Sequence, residues 1–117
     1  MKNFPGGFPI CVVGMRGRKS GQRREIALIH LPHGDNELLV ASQGGLDKHP
    51  VWYLNIVANP EVDVLFAGKL RKMQARQASD EEKRDLWPVL LSMYPDFDQY
   101  QARTDRNIPV FICEPLA

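Results

Sequence analysis

Glycine and proline residues divide this sequence into short apolar runs, and that punctuation is the strongest constraint on its fold. The runs Phe8 to Met15, Ile26 to Leu31, Glu37 to Ser42 and Ile108 to Cys113 are rich in valine, isoleucine and leucine. Apolar runs of this length, bounded by turn residues, are typical of strands. Since few helices separate them, the pattern predicts a small antiparallel barrel rather than a doubly wound sheet.

A further hairpin is predicted between Glu61 and Gln77. Its first strand, Glu61 to Ala67, partly alternates apolar and polar residues, and Gly68-Lys69 suits a two-residue hairpin turn. The returning strand, Leu70 to Gln77, has no strongly apolar face. We therefore expect either a solvated edge strand or a strand that lines a cavity.

Two or three helices complete the prediction of a mainly β, α+β domain with about six strands. Pro50 suits the first position of a helix that stops by Ala58, before an Asn-Pro step. Ser79 begins a capping box for a second helix, which Pro88 is expected to kink or split. Residues 96–105 are predicted to include a short third helix.

Length and composition indicate one soluble globular domain, residues 1–117. The sequence is 44% hydrophobic and 25% charged with a net charge of +1, which argues against a nucleic-acid-coating protein. No apolar run is long enough to cross a bilayer, so membrane contact is expected to be peripheral at most. A cytoplasmic location is the default expectation.

Several catalytic and metal-binding patterns are missing from the sequence. Cys11 and Cys113 lack metal-type spacing and lie in apolar runs, so buried thiols are expected, whereas a redox pair would need neighbouring strands. His30, His33 and His49 also lack ligand spacing, and His30 is predicted to be structural rather than a ligand. No metal site is therefore predicted.

The basic hairpin tip, residues 16–24, is one candidate for ligand binding. It contains five cations together with two glycines. Guanidinium groups bind phosphate or carboxylate bidentately, and glycines allow close approach to backbone N–H groups. A solvated hairpin tip and an RNA-backbone contact are the alternative interpretations.

The segment Ala41 to Asn55 is the second candidate. An apolar run is followed by a glycine-containing turn and then by a helix start at Pro50. The free N–H groups of a helix start can bind an anion or the polar edge of a flat ring. An ordinary strand-to-helix connection is the alternative. Tyr94, Phe97 and Tyr100 are spaced three apart, so on a helical turn they would share a face that could cover a pocket.

An ordered set of motifs, spread over residues 17–115, resembles the deazaflavin-dependent nitroreductase family. The motifs are Gly17-Arg18-Lys19-Ser20-Gly21-Gln22, Ala41-Ser42-x-Gly44-Gly45-x-x-Lys48-x-Pro50-x-Trp52-Tyr53-Leu54-Asn55, Ala58-Asn59-Pro60, Tyr94-Pro95 and Tyr100-Gln101-x-x-Thr104-Asp105-Arg106-x-Ile108-Pro109. The resemblance implies an FMN-binding-like split β-barrel that uses coenzyme F-420, an 8-hydroxy-5-deazaflavin with a phosphate and an oligoglutamate tail. It also implies hydride transfer to a planar acceptor, such as a quinone or a nitroaromatic compound.

The resemblance assigns roles to individual residues. Arg18, Lys19 and Ser20 are expected to bind the phosphate and tail of the cofactor. Its ring is expected to lie along Ser42, Gln43, Gly44 and Gly45, and Pro50, Val51 and Trp52 are expected to help hold the cofactor in place. The residues expected on the substrate side are Ile29, Tyr94, Phe97 and Tyr100. Ser42 is the expected catalytic residue, as a proton source or as a hydrogen-bond donor to the accepting atom.

Some positions depart from the family pattern. Gln43 replaces a frequent lysine, and Arg16 and Arg23 are expected to compensate by adding charge at the loop. Phe97 and Ile29 stand where tyrosine can occur, which makes the acceptor pocket less polar and favours an apolar quinone over a nitroimidazole. A non-catalytic deazaflavin carrier and an FMN-binding barrel are the alternative functions, and a homodimer is the assembly that split barrels commonly form.

Overall fold

The computed structural model describes residues 3–4 and 6–116, which form a curled antiparallel sheet with three α-helices and a short 3-10 turn. In chain order the elements are β1 (Asn3–Phe4), β2 (Phe8–Arg16), β3 (Arg23–Ile29), β4 (Pro32–His33), β5 (Asn36–Val40), the 3-10 turn (Gln43–Gly45), α1 (Val51–Ala58), β6 (Glu61–Phe66), β7 (Lys69–Gln77), α2 (Asp80–Met93), α3 (Phe97–Ala102) and β8 (Val110–Pro115). The six longer strands confirm the prediction, and β1 and β4 are additional two-residue strands.

The sheet runs β3-β2-β6-β7-β8-β5-β4, with β1 paired to the start of β2. Residues 30–31, which follow β3, bond to β2 on one side and to β5 on the other. The Leu38 amide donates to the Leu31 carbonyl over 2.8 Å, and the His30 amide donates to the Pro9 carbonyl over 2.9 Å. The sheet therefore curls into the antiparallel split barrel that the resemblance implied.

Two hydrophobic clusters lie on opposite faces of β5. Leu39 packs inside the barrel with Met73 and Phe111, whereas Leu38 packs outside it with Leu90 of α2 and Phe97 of α3. Adjacent residues of a strand point to opposite faces, so β5 is buried on both sides. This explains why the run Leu38 to Ala41 is apolar at every position.

The β6–β7 hairpin differs from its prediction at the turn, whereas β7 fits one of its two predicted settings. The turn residues are Ala67 and Gly68, with φ of 52° and 79°, so Lys69 already pairs with Phe66. Positive φ at both central residues is the type I′ pattern. β7 is an interior strand because it pairs with both β6 and β8, and its Lys72 and Gln74 line a groove, which agrees with the second of the two predicted settings.

The helices agree with prediction apart from two details. Pro50 is the N-cap of α1, with ψ of 154°, rather than its first helical residue. The capping box between Ser79 and Glu82 is present, but α2 continues through Pro88 without a break. A proline removes one backbone hydrogen bond, and the packing of Leu86 and Leu90 against the core holds the helix together. No described helix is long and apolar enough to span a membrane.

Cys11 and Cys113 are buried free thiols, as predicted. Burial raises the pKa of each to about 12. Since the thiolate is the reactive form of cysteine, these two thiols are unreactive in the folded protein.

Candidate functional site

The β2–β3 hairpin tip is a compact turn held against α1. Within the turn, the Gly17 amide donates to the Gln22 carbonyl over 2.8 Å, and the Gln22 amide donates to the Ser20 hydroxyl over 3.1 Å. The Arg18 amide donates over 3.1 Å to the side-chain oxygen of Asn55, which is buried in α1. This bond fixes the basic turn beside the helix that follows the glycine loop.

A cavity of about 430 Å³ lies between this hairpin and α1. It is lined by Met15, Gly17, Arg18, Lys19, Ser20, Arg24, Glu25, Ile26, Val51, Trp52 and Asn55. Three of these side chains are cationic and one is anionic, so the walls favour an anionic ligand. Guanidinium groups and the backbone amides of a glycine-containing turn together suit phosphate or carboxylate groups.

Arg16 and Arg23 do not line this cavity. Both line a second, larger groove of about 620 Å³, together with Asp63. The Arg23 guanidinium forms a bidentate pair with Asp63, with nitrogen–oxygen distances of 2.8 and 2.9 Å, and a further contact of 3.0 Å with Glu25. This ion pair lies directly over Gly14, where an added Cβ would overlap both the Arg23 and the Asp63 side chain. The expected compensation by Arg23 is therefore wrong, because its charge is already neutralised.

An apolar cavity of about 350 Å³ adjoins the basic one. It is lined by Ile26, Ala27, Leu28, Ile29, Leu31, Leu39, Val40, Ser42, Gln43, Gly44, Pro50, Trp52, Tyr94, Phe97 and Tyr100. Ile26 and Trp52 line both cavities, so the two adjoin across these side chains and together form the cleft. The cleft suits an elongated ligand with a flat, apolar body and an anionic tail.

The glycine loop, residues 41–50, forms one wall of the apolar cavity. Gln43, Gly44 and Gly45 all have positive φ, at 45°, 63° and 81°. Gly45 is a predicted site residue that does not line the cavity. It packs behind the loop, where an added Cβ would lie 2.6 Å from the Tyr100 carbonyl oxygen.

The aromatic wall is formed by Tyr94, Phe97 and Tyr100, which share one face as predicted. The hydroxyl oxygens of Tyr94 and Tyr100 lie 2.8 Å apart. Tyr94 and Phe97 are buried, whereas Tyr100 is half-exposed. Burial and the neighbouring hydroxyl raise the pKa of Tyr94, so it remains a neutral phenol at physiological pH. The wall is thus apolar, with a hydroxyl pair as its polar feature.

Arg106 contacts the glycine loop but does not line the cavity, and the sequence predicted no role for it. Its guanidinium donates to the carbonyl of Ser42 over 2.8 Å and to two further carbonyls of the same loop. The motif Thr104-Asp105-Arg106 marked Arg106 in the sequence. Its neighbouring residues, however, did not indicate that Arg106 would contact the glycine loop.

A separate polar cluster lies within the barrel wall. His30 Nδ1 is 2.8 Å from one carboxylate oxygen of Glu37, and the other accepts the Leu31 amide over 2.7 Å. The His30 ring also stacks on Phe66, with centroids 3.6 Å apart. His30 therefore has the partners expected of a structural histidine, and the burial of Glu37 raises the pKa of its carboxyl group.

Comparison with known proteins gives close relatives for this chain. The family model for F420H(2)-dependent quinone reductase matches residues 2–115. Rv3178 from Mycobacterium tuberculosis (strain ATCC 25618 / H37Rv) is 36% identical over 107 residues, which cover 92% of this chain and 90% of that protein.

Solved structures agree. An F420-H2-dependent reductase, FDR-A, is 40% identical with a TM-score of 0.84, and the match covers 91% of this chain and 94% of that one. The structure of a domain-swapped dimer is also 40% identical, with a TM-score of 0.85 and coverage of 91% and 80%. A Clostridium acetobutylicum protein of the pyridoxinephosphate oxidase family, at 15% identity and a TM-score of 0.62, shares the fold alone. The match to the family model along nearly the whole sequence shows that this chain belongs to the F420H(2)-dependent quinone reductase family.

Proposed function

We propose that the residues of this cleft hold reduced coenzyme F-420 against a flat, apolar quinone, to which the protein transfers a hydride. Membership of the family supports the cofactor and the quinone substrate. The observation that carries the residue assignment is the pair of adjoining cavities in the cleft, one cationic and the other apolar. Its two parts match the charged tail and the flat ring of this cofactor.

The basic cavity is assigned to the phosphate and oligoglutamate tail. Arg18, Lys19 and Arg24 surround it, and the Ser20 hydroxyl lies on the same turn. Because the hairpin tip is exposed, the cavity can accept a tail of variable length. Only the part of the tail nearest the ring has to fit between the cavity walls. Val51 stands at this opening with 73% of its surface exposed.

The glycine loop is assigned to the ring of the cofactor. Ser42, Gln43, Gly44 and Pro50 line one side of the apolar cavity, and Trp52 lies where it joins the basic one. Small residues and backbone groups allow a flat ring to approach closely, while the surrounding apolar side chains exclude water. Glutamine at position 43 offers hydrogen bonds there without adding a charge.

The aromatic wall is assigned to the acceptor. Ile29 and Phe97 make this end apolar, and Tyr100 offers a stacking surface with a hydroxyl group. A quinone presents an apolar ring and two carbonyl acceptors, so it needs few donors from the protein. We propose the same pocket for flat nitroaromatic compounds, with weaker complementarity because a nitro group is more polar.

Bound reduced F-420 supplies the hydride, and the chain supplies position, exclusion of water and a proton. A quinone that accepts a hydride also needs a proton to become a hydroquinone. Ser42 lines the cavity from a half-buried position. Its hydroxyl is assigned to donate a hydrogen bond to the accepting oxygen and to pass on a proton that solvent replaces, so that no alkoxide remains. Burial and the neighbouring hydroxyl raise the pKa of Tyr94, so this phenol stays neutral and acts by hydrogen bonding.

We also propose that the chain forms a homodimer. The support is the domain-swapped dimer among its relatives, at 40% identity. Light scattering during size-exclusion chromatography tests this, and a mass equal to that of one chain at all concentrations would refute it.

The assigned roles predict opposite kinetic effects at the two ends of the cleft. Arg18→Ala or Lys19→Ala should weaken F-420 binding by about 10-fold or more, since a charge-assisted hydrogen bond is worth about 1.5–3 kcal/mol. Ser42→Ala should instead lower turnover more than affinity. The dissociation constant is measured by fluorescence titration, and turnover by oxidation of the reduced cofactor with a quinone.

Arg16→Ala is the matched control, because it removes a cation from the same hairpin outside the cleft. It should leave both constants near their wild-type values. Equal losses of affinity and turnover in Arg18, Lys19 and Ser42 variants would refute the assignment. Tight binding of FMN in place of F-420 would favour the alternative flavin-binding function.

A further inference from the structure

The glycine loop adopts a conformation that its own hydrogen bonds only partly support. Three consecutive residues, Gln43, Gly44 and Gly45, have left-handed backbone angles, which carry a steric cost at a non-glycine residue. Inside the turn, the Gly45 amide donates to the Ser42 carbonyl over 2.9 Å, and the Leu46 amide donates to the Gln43 carbonyl over 3.2 Å. The carbonyls of Ala41, Ser42 and Leu46 accept further hydrogen bonds from outside the turn.

Those carbonyls converge on one side chain, the guanidinium of Arg106. Nε donates to the Leu46 carbonyl over 3.0 Å, and Nη2 donates to the Ser42 carbonyl over 2.8 Å. Nη1 donates to the Ala41 carbonyl over 2.9 Å and lies 2.8 Å from His49 Nδ1. One planar group thus contacts four acceptors between residues 41 and 49.

The arrangement uses features that only arginine provides. A guanidinium has five donors in a rigid fork, whereas a lysine ammonium has three on a single atom. Among the described residues Arg106 forms no ion pair within salt-bridge distance, so its hydrogen bonds go to the loop rather than to an acid. Such charge-assisted bonds to backbone carbonyls are among the stronger ones in proteins.

Neighbouring residues connect the same loop to the aromatic wall. Thr104 donates from its hydroxyl to an Asp47 carboxylate oxygen over 2.9 Å. Arg103 donates to the Gly44 carbonyl over a longer 3.3 Å and lies over the Tyr100 ring. The segment that follows α3 therefore touches both walls of the apolar cavity.

We infer that Arg106 is a positioning residue for the reaction, which fixes the glycine loop and through it the Ser42 hydroxyl. This inference rests on the proposed role of Ser42 in the F-420 site. Arg106 itself does not line the cleft and touches neither ligand assigned to it. Its effect on turnover arises because a displacement of about 1 Å at a reacting group can cost about 100-fold in rate.

The first test measures loop order without cofactor, by amide hydrogen exchange. In Arg106→Gln, the Gly45 and Leu46 amides should exchange at least about 10-fold faster than in the wild type, because their bonds close the turn. Arg106→Lys should show the same loss, since one ammonium cannot reach four acceptors. Amides of β2 report global unfolding and should change little.

Arg103→Gln is the matched control for this measurement. It removes a neighbouring guanidinium with only one, longer bond to the loop, so exchange at Gly45 should change less than in Arg106→Gln. Unchanged exchange in Arg106→Gln, or full retention of protection in Arg106→Lys, would overturn the inference.

The second test is a double-mutant cycle on turnover at saturating F-420. Arg106→Gln should slow the wild type by about 10- to 100-fold. In a Ser42→Ala background the same change should slow turnover much less, because the group that it positions is already absent. Equal slowing in both backgrounds would refute an action through Ser42. If the wild type oxidises no reduced F-420, the proposed function fails, while amide exchange still decides whether Arg106 holds the loop.

Discussion

Two adjacent glycines of the loop offer a matched test of how tightly it packs against α3. At Gly45, an added Cβ would lie 2.6 Å from the Tyr100 carbonyl oxygen and 3.0 Å from Arg103 Cβ. At Gly44, an added Cβ would meet nothing within 4 Å. Both residues have positive φ, at 81° and 63°, so alanine is strained at either position.

The expected magnitudes follow from this difference. Gly44→Ala should cost only the left-handed backbone, about 1 kcal/mol. Gly45→Ala carries the same backbone cost and also forces apart two backbone segments, which adds about 2 kcal/mol. The total for Gly45→Ala is then about 3 kcal/mol, and the 2 kcal/mol difference corresponds to a factor of about 30 in an equilibrium constant.

Equilibrium urea unfolding of the protein without cofactor measures both values. The cofactor is left out because Gly44 lines the cleft, where a methyl group would also obstruct a ligand. Hydrogen exchange of the Leu46 amide measures the stability of the loop separately, in case the loop opens before the barrel unfolds. Free energies of unfolding for the two variants within about 0.5 kcal/mol of each other, with equal loop exchange, would refute the close packing of Gly45 on α3.

Two further predictions concern titrating groups. Because burial raises the pKa of Cys11 and Cys113 to about 12, neither thiol should react with a disulfide reagent at pH 8 in the native protein, whereas both should react after unfolding; rapid native reaction would refute their burial. Burial and Arg106 lower the pKa of His49 below its ordinary 6.5, so the unfolded chain takes up this proton first and stability should fall as the pH decreases below about 6.5. His49→Asn keeps a hydrogen-bond acceptor near Arg106 but does not titrate. On acidification, the thermal midpoint of the wild type should therefore fall more than that of the variant. A constant difference between the two midpoints would contradict this.

The elements of the fold were largely predictable because their signals are local. Strand lengths follow from apolar runs between turn residues, and the capping box at Ser79 marks its helix from four adjacent residues. Predictions stayed open or were wrong where neighbours outside the element decide the outcome. β7 carries few apolar residues, yet it is interior because β8, from the end of the chain, pairs with it. Similarly, α2 passes Pro88 because its buried face is anchored on the core.

The candidate site was predictable to the extent that motifs marked its segments. Ile29, Ser42 and Tyr100 line one cavity although their segments are far apart in sequence, and only the family resemblance linked them. The direction of each side chain was harder to predict. Arg16 and Arg18 lie two residues apart in the same basic turn but line different cavities, and the neutralising partner of Arg23 is Asp63, forty residues away. Charge counts along the sequence cannot separate such cases.

The apolar cavity draws most of its walls from three distant stretches: residues 26–29 on β3, 42–52 around the glycine loop, and 94–100 at α3. Any ligand seated there acts as a removable cross-link between parts of the chain that separate on unfolding. Its binding free energy is then added to the free energy of unfolding, by about 2.7 kcal/mol when the free ligand is at 100 times its dissociation constant. The lifetime of this protein in a cell would consequently follow the supply of its cofactor, with the unloaded form the first to reach proteases.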